Sequence, residues 1–432
     1  MAALPSIDPA PAFAASPLPW IGAGRRLLRD PTAFFADCRL RLGDTFAVDA
    51  FGYRLLCVFS PDGVRNLWAL PEGEASKGLA DFALLSHKVP TDLFAGRRTF
   101  PHDLFQRDDV EVYLGNVASA VETEIGRLGA AGEVELFAFA RAVAHRAGLA
   151  SWGGIGPEAA EVAERLAPLF DALDSSESFV HPSRAFRTIA TRKRRERKAL
   201  AAIETAFAER LQQTGSGDPD DLFERIRSAW SDAPAEEQAR GIARDVVLVH
   251  MGSQSNLFAA LAWTLVHLLE RPALLARVRD GDDDLLDRCS HESIRLRQRS
   301  IVLRRVLAPV TIADEKAAYR VAPGAFIATM MSVTNTTAAP GLEDFDPDRY
   351  RGAQLAGARQ LPARELVTTF GHGRHFCPAQ RYSTSTIRIA TRALLDRFEL
   401  TPLFRDPAPL RRQIGGVARA DRPCRVRYAL RT

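Results

Sequence analysis

Phe370-Gly371-His372-Gly373-Arg374-His375-Phe376-Cys377-Pro378-Ala379-Gln380 is the stretch that decides how this chain is read. One cysteine stands in a short loop, with glycines before it and a helical pattern after it. The glycines let the backbone turn tightly and come close to a flat ligand. After the loop, Ser383, Ile387, Ile389, Ala390, Ala393, Leu394 and Leu395 recur at helical spacing. Cys377 is therefore expected just ahead of a helix N-terminus, where amide donors and the dipole favour a thiolate. A free cysteine is more often a small buried hydrophobe. The glycine bracket argues for a ligand site instead.

The loop resembles the cysteine-ligand loop of cytochrome P450s, Phe-x-x-Gly-x-x-x-Cys-x-Gly. Phe370, Gly373 and Cys377 match in type and spacing, and Ala379 replaces the last glycine. The resemblance implies haem b (iron protoporphyrin IX) with Cys377 as axial ligand, a thiolate ligation that favours oxygen activation. It implies Phe370 and Gly371 beside the cofactor. It also gives His375 and Arg305 as partners of the haem propionates.

Companion motifs extend the match. Glu292-Ser293-Ile294-Arg295 puts an acid and a base on one helix face. It resembles the P450 Glu-x-x-Arg pair, with Arg349 in Phe345-Asp346-Pro347-Asp348-Arg349-Tyr350 as the third partner. That network is structural and holds the cysteine loop. Taken alone, Glu-x-x-Arg is as common as any solvated pair.

A third segment, His250-Met251-Gly252-Ser253-Gln254-Ser255-Asn256-Leu257, resembles the long helix that crosses the distal haem face. Most monooxygenases carry an acid followed by Thr there, and here the positions hold Ser255 and Asn256. Neither is a carboxylic proton source. The run is similar to the Ser-Gln-x-Asn helix of the cholesterol 7α-hydroxylase and prostacyclin synthase families. Gly43-Asp44-Thr45-Phe46 and the Phe179–Arg187 region are similar to the broader sterol-demethylase clan. Asn256, Ser255 and Gln254 are the expected residues at the reacting oxygen.

Composition narrows the class. The chain has 432 residues, 46% hydrophobic and 25% charged, with formal net charge +4. That is globular composition with length for a sizeable core. The five cysteines are odd in number and scattered, which argues for a reducing compartment over a disulfide framework. Residues 1–19 are rich in Ala and Pro, lack a signal-peptide pattern and read as a flexible leader. Residues 20–432 then form a single P450 domain.

No run of about 18 uncharged apolar residues occurs. The longest candidate, 246–269, contains His250, Gln254, Asn256 and His267. The expectation is a cytoplasmic, bacterial-type protein without a transmembrane anchor. The basic run from Arg192 to Lys198 has no interleaved aromatics, so no nucleic-acid partner is expected.

The pattern is mainly α: Asp30-Pro31 and Ser60-Pro61 open helices, Gly52 marks a hairpin, and helical periodicity fills about 110–280. Strand-like sequence follows at 301–306, 310–312 and 325–330. This is the P450 arrangement, a helix-rich body with small sheets and the haem between the long helix and the cysteine loop. The substrate walls are expected at Phe94, Phe100, Leu104, Ile301 and Val302. A lipophilic small molecule such as a steroid or terpenoid is implied by the resemblance.

Reductase motifs are absent from the chain, which points to ferredoxin and ferredoxin reductase as electron donors. Arg381, Arg388 and Arg392 form a candidate docking face for the ferredoxin. The alternative is an isomerase or dehydratase working without external electrons, suggested by the missing acid–Thr pair. A haem sensor or carrier is the non-enzymatic alternative.

Overall fold

A computed structural model describes residues 4–431 apart from 17, 19, 100, 106–109, 157–158, 175–181, 214–221 and 353–359. Local chemistry sets the first elements. Asp30 accepts from Ala33 N and Pro31 occupies the first turn, so α2 (Pro31–Leu42) starts there, after the short α1 (Gly24–Arg29). Gly43 ends it at φ 92°. The next two strands are β3 (Thr45–Ala50) and β4 (Tyr53–Val58). Phe51 and Gly52 join them with φ of 51° and 80°, the two positive values a tight hairpin needs. Ser60 caps α3 (Pro61–Ala69) through Gly63 N.

The remaining helices are α4 (Lys77–Leu85), α5 (Pro101–Leu104), α6 (Val110–Gly126), α7 (Leu136–Trp152), α8 (Ala160–Leu173), α9 (Pro182–Ala190), α10 (Arg194–Gln213), α11 (Leu222–Ala229), α12 (Ala235–Leu269), α13 (Pro272–Arg279), α14 (Asp283–Arg297), α15 (Met331–Thr337) and α16 (Gln380–Arg397). With 35 residues, α12 is the spine, about 50 Å long. Leu257 to Leu269 are buried without interruption. The main core gathers around them from α6, α7, α10, α14 and α16. Among the described residues, no single helix is long and apolar enough to cross a membrane.

Three sheets flank this body. Six strands run in the order β2 (Ala12–Phe13), β3, β4, β10 (Phe326–Met330), β7 (Ile301–Val306), β5 (Ala75–Ser76). A second sheet orders β1 (Ile7–Asp8), β9 (Ala318–Val321), β8 (Val310–Ala313). The third orders β11 (Phe398–Pro402), β12 (Arg425–Leu430), β6 (Ala131–Glu135).

The leader expectation needs correcting. Ile7 pairs with Val321 and Ala12 with Phe46, so the described part of residues 1–19 contributes edge strands to two sheets. The alanine and proline content conceals strands of only two residues each, too short for a period-2 signal. Gly215-Ser216-Gly217-Asp218-Pro219, which reads as a turn from its glycines and proline, lies outside the described residues.

Candidate functional site: the cysteine loop and its supports

The loop folds back on itself through Cys377 N, which donates to Phe370 O at 2.7 Å. Gly371 has φ 84°, and a Cβ there would stand 2.4 Å from His375 O. Only glycine fits this position. Gly371 N donates to Thr368 Oγ1 at 2.7 Å. Phe370 packs against the main core and edge-on to His291. Phe376 stays 37% exposed.

Cys377 is half-buried, whereas Cys38, Cys57, Cys289 and Cys424 are buried. Burial raises the Cys377 thiol pKa, and only the Ala379 amide opposes it. The sequence expectation that the helix terminus favours a thiolate is therefore outweighed by desolvation. A cation at the sulfur is what would hold it deprotonated.

A continuous set of bonds ties the loop to α14. Glu292 and Arg295 are both fully buried and make two parallel contacts of 2.7 Å. Arg295 also donates to Asn335 O at 2.5 Å, Leu342 O at 2.7 Å and Asp344 O at 3.2 Å. Asp346 N donates to Glu292 Oε1 at 3.0 Å, and Arg349 Nε lies 3.4 Å from the same oxygen. Arg349 further donates to Gly341 O.

Asn335, on α15, escapes the sequence reading. Its amide donates to Arg295 O and Thr368 O, and its oxygen accepts from Thr368 N at 2.8 Å. Thr368 in turn holds Gly371. Nothing in an Asn within a Ser/Thr-rich run marks this role. Asn335→Ala should leave three buried backbone groups unpaired and lower stability by about 3 kcal/mol. A urea unfolding midpoint equal to the parent's would refute that link.

His375 and the arginines differ from expectation. On β7, Arg304 is fully buried and Arg305 exposed, as alternation along a strand requires. Arg304 donates to Glu72 Oε1 at 3.0 Å and to Ala75 O, Trp68 O and Leu70 O. The same Glu72 oxygen lies 3.3 Å from His375 Nε2. Thus Arg304, not Arg305, is brought to His375 through a shared carboxylate. The Arg305 side chain makes no hydrogen bond or ion pair among the described residues and remains an exposed cation beside Ser76, its partner across the strands.

The α12 residues also separate. Gln254 is 1% exposed, and its amide lacks a hydrogen-bond partner of good geometry. It sits one turn after His250, which joins a buried chain. Trp152 Nε1 donates to His250 Nδ1 at 3.2 Å. That fixes His250 Nε2–H as the donor to His145 Nδ1 at 2.9 Å, and His145 Nε2–H as the donor to Asp171 at 2.9 Å. Burial, then the neighbouring His145, holds His250 well below the usual imidazole range. Gln254 thus lies buried one helical turn from this chain, with no partner of good geometry among the described residues.

Asn256 takes another course. Its Oδ1 accepts from Val417 N at 2.9 Å, and its Nδ2 donates to Gly252 O at 3.3 Å. Gly416 N donates to Ser300 Oγ at 3.0 Å. Asn256 therefore ties α12 to the 415–417 loop, a partner the sequence does not reveal. Ser255 is half-buried.

The expected substrate walls divide likewise. Leu104 is 2% exposed in the main core, and its carbonyl accepts from Tyr113 Oη. Val302 is buried beneath the sheet with Val64 and Leu67. Both are core, which corrects their assignment. Phe94 is half-buried, edge-on to Phe82 at 5.3 Å. Ile301 is half-buried and packs against the same apolar cluster as Ala83, Leu84 and Ile414. Phe100 lies outside the described residues. Of the candidate docking arginines, Arg388 pairs with Asp287 at 2.9 Å and Arg392 with Asp283 at 2.5 Å, while Arg381 is exposed.

Comparison with known proteins agrees with this layout. The cytochrome P450 family model matches residues 179–427, more than half of the chain. The chain belongs to the cytochrome P450 family. It is 22% identical to mouse (Mus musculus) 24-hydroxycholesterol 7-alpha-hydroxylase, over 96% of this chain and 92% of that protein. It is 24% identical to a putative cytochrome P450 135B1 of Mycobacterium bovis, over 87% and 82%. A sterol 14alpha-demethylase of Mycolicibacterium vanbaalenii is 28% identical over 39% of this chain and 40% of that one. The retinoic acid-bound cyanobacterial CYP120A1 structure superposes with TM-score 0.75 and 17% identity, covering 98% of this P450 and all of that chain (100%).

P450s bind haem through a cysteine thiolate, and the residues here fit that group. The chain supplies one half-buried thiol, a glycine fold around it and an exposed Phe376 beside it. It also supplies an unengaged donor: among the described residues, His375 Nε2 is buried without a hydrogen-bond partner of good geometry. This P450 is thus an oxidoreductase of the monooxygenase class.

Proposed function

We propose that this P450 oxidises, most simply by hydroxylation, a lipophilic small molecule of the sterol or terpenoid class, with electrons from a separate ferredoxin in the cytoplasm. The observation that supports the reading most is where Asn256 stands. It joins α12 to the 415–417 loop, which also contacts Ser300 at the entry to β7. Ile301 and Ile414 lie next in sequence to Ser300 and Gly415 and share one apolar cluster with Leu84. Three segments distant in sequence thus meet at this junction, with apolar side chains next to it, and a lipophile site is built from such surface. Relatives named for sterol substrates are in keeping with this.

Cys377 and His375 would hold the haem, which supplies the oxygen-activating chemistry when bound. The protein's own part is to position the substrate. Ile301, Ile414 and Leu84 present apolar surface to it. Asn256 fixes the 415–417 loop, with its acceptor oxygen engaged and, among the described residues, one amide hydrogen without a partner. Ser255 offers a hydroxyl where an acid is usual, so it can carry a hydrogen-bonded water but cannot release a proton at neutral pH.

Asn256→Ala should release the 415–417 loop. Sterol-induced spectral titration should show affinity falling, and coupled product should drop by up to about 100-fold at unchanged haem content. The function is tested with a sterol and terpenoid panel, ferredoxin, ferredoxin reductase and reduced nicotinamide. Product that forms equally well without reductant would replace this reading with an electron-independent isomerase.

A further inference from the structure

Glu72 lies in the turn between α3 and β5, outside every motif read from the sequence. Its carboxylate is 39% exposed and collects three donors in four contacts. Lys77 N reaches both oxygens at 3.0 and 3.1 Å, Arg304 Nη1 lies at 3.0 Å, and His375 Nε2 at 3.3 Å. Burial pushes the carboxyl up, but Ser76, the Lys77 amide, Arg304 and His375 together hold it below its ordinary value. Glu72 is therefore an anion. The His375 contact is close enough to pair but poorly aligned, because Nε2 is buried without a proper hydrogen-bond acceptor.

A haem propionate is also a carboxylate. His375, two residues before Cys377, is a partner expected for it. The nitrogen of His375 that faces Glu72 can donate to one acceptor at a time. Arg304 cannot turn away to serve the second, since its guanidinium is fixed by three backbone carbonyls. Arg305, exposed and unpaired among the described residues, is the cation left over.

We propose that Glu72 is a built-in rival of the haem propionate for His375, and that it weakens the hold of this chain on haem. This rests on the assignment of His375 and Cys377 to the haem site. The reduced-CO spectrum of the parent holoprotein tests that assignment separately.

The rival role is tested by haem transfer from holoprotein to excess apomyoglobin, followed in the Soret band. Glu72→Gln keeps an acceptor for Lys77 N and removes the charge. It should slow haem loss about 3–10-fold, the scale of one partly exposed charged contact. His375→Ala should speed haem loss. In the His375→Ala background, Glu72→Gln should have no further effect, since the two act through one contact. Glu72→Asp, shorter by one methylene, should slow loss by a smaller factor, and it serves if the Gln variant does not fold. Unchanged or faster loss in both Glu72 variants overturns the proposal. So does a gain of equal size without His375, which would mean that Glu72 acts elsewhere.

Discussion

Cys377→Ser should abolish the thiolate-type absorption band of the ferrous–CO protein, while Cys289→Ser and Cys424→Ser leave it intact. The four other cysteines are buried, and none is bracketed by glycines in a loop. Burial pushes Cys289 and Cys424 thiols up to about 12, so neither supplies a thiolate. Cys377 alone is half-buried, and its neighbour Phe376 exposes its ring. A serine hydroxyl fills nearly the same space but is a far weaker acid and supplies no thiolate, so the backbone fold should persist while the electronic signature vanishes. The expected effect is complete loss, not a graded one. If the band survives in Cys377→Ser, the axial ligand is another residue and the reading of the whole loop fails.

The readability of each part depends on how local its physics is. The cysteine loop is legible because a tight turn demands glycine: Gly371 cannot carry a Cβ without striking His375 O. The Phe51-Gly52 hairpin and the Asp30 and Ser60 caps are legible for the same reason. Long-range partners are not. Asn335 and Thr368 connect α15 to the loop, and Glu72 meets His375 across 303 positions of chain (375 minus 72), with no pattern in either stretch.

Face assignments sit between these cases. Alternation along β7 decides that Arg304 and Arg305 point oppositely, but not which of them is buried. That depends on the Trp68, Leu70 and Ala75 carbonyls contributed by α3, β5 and the turn between them. Similarly, helical spacing puts Gln254 one turn from His250 and leaves Asn256 on another face. The loop that meets Asn256 arrives from 161 residues away, and no local signal announces it.

Glu292→Ala and Arg295→Ala should each yield little folded, haem-loaded protein. Both side chains have no exposure, and their double contact is the main charge compensation either receives. Removing one partner leaves the other charge in a medium that solvates it poorly, a cost of about 3–5 kcal/mol. That is comparable with a large part of the ~5–15 kcal/mol stability of an ordinary domain.

The two losses have different consequences. Without Arg295, the carbonyls of Asn335, Leu342 and Asp344 lose their common donor, and the path through Asn335 and Thr368 to Gly371 loosens. Without Glu292, Asp346 N and Arg349 lose their acceptor as well. Arg349→Ala should be milder, because Arg349 is 19% exposed and its Nε stands 3.4 Å from the carboxylate. Arg295→Lys should rescue poorly, since an ammonium cannot make the double contact or reach three carbonyls in one plane. The measurements are soluble yield, haem-to-protein absorbance ratio and urea midpoint. Should Arg295→Ala fold and load haem like the parent and lose only turnover, Arg295 acts in the chemistry, and the chain of support from α14 to the cysteine loop is not what holds Cys377 in place.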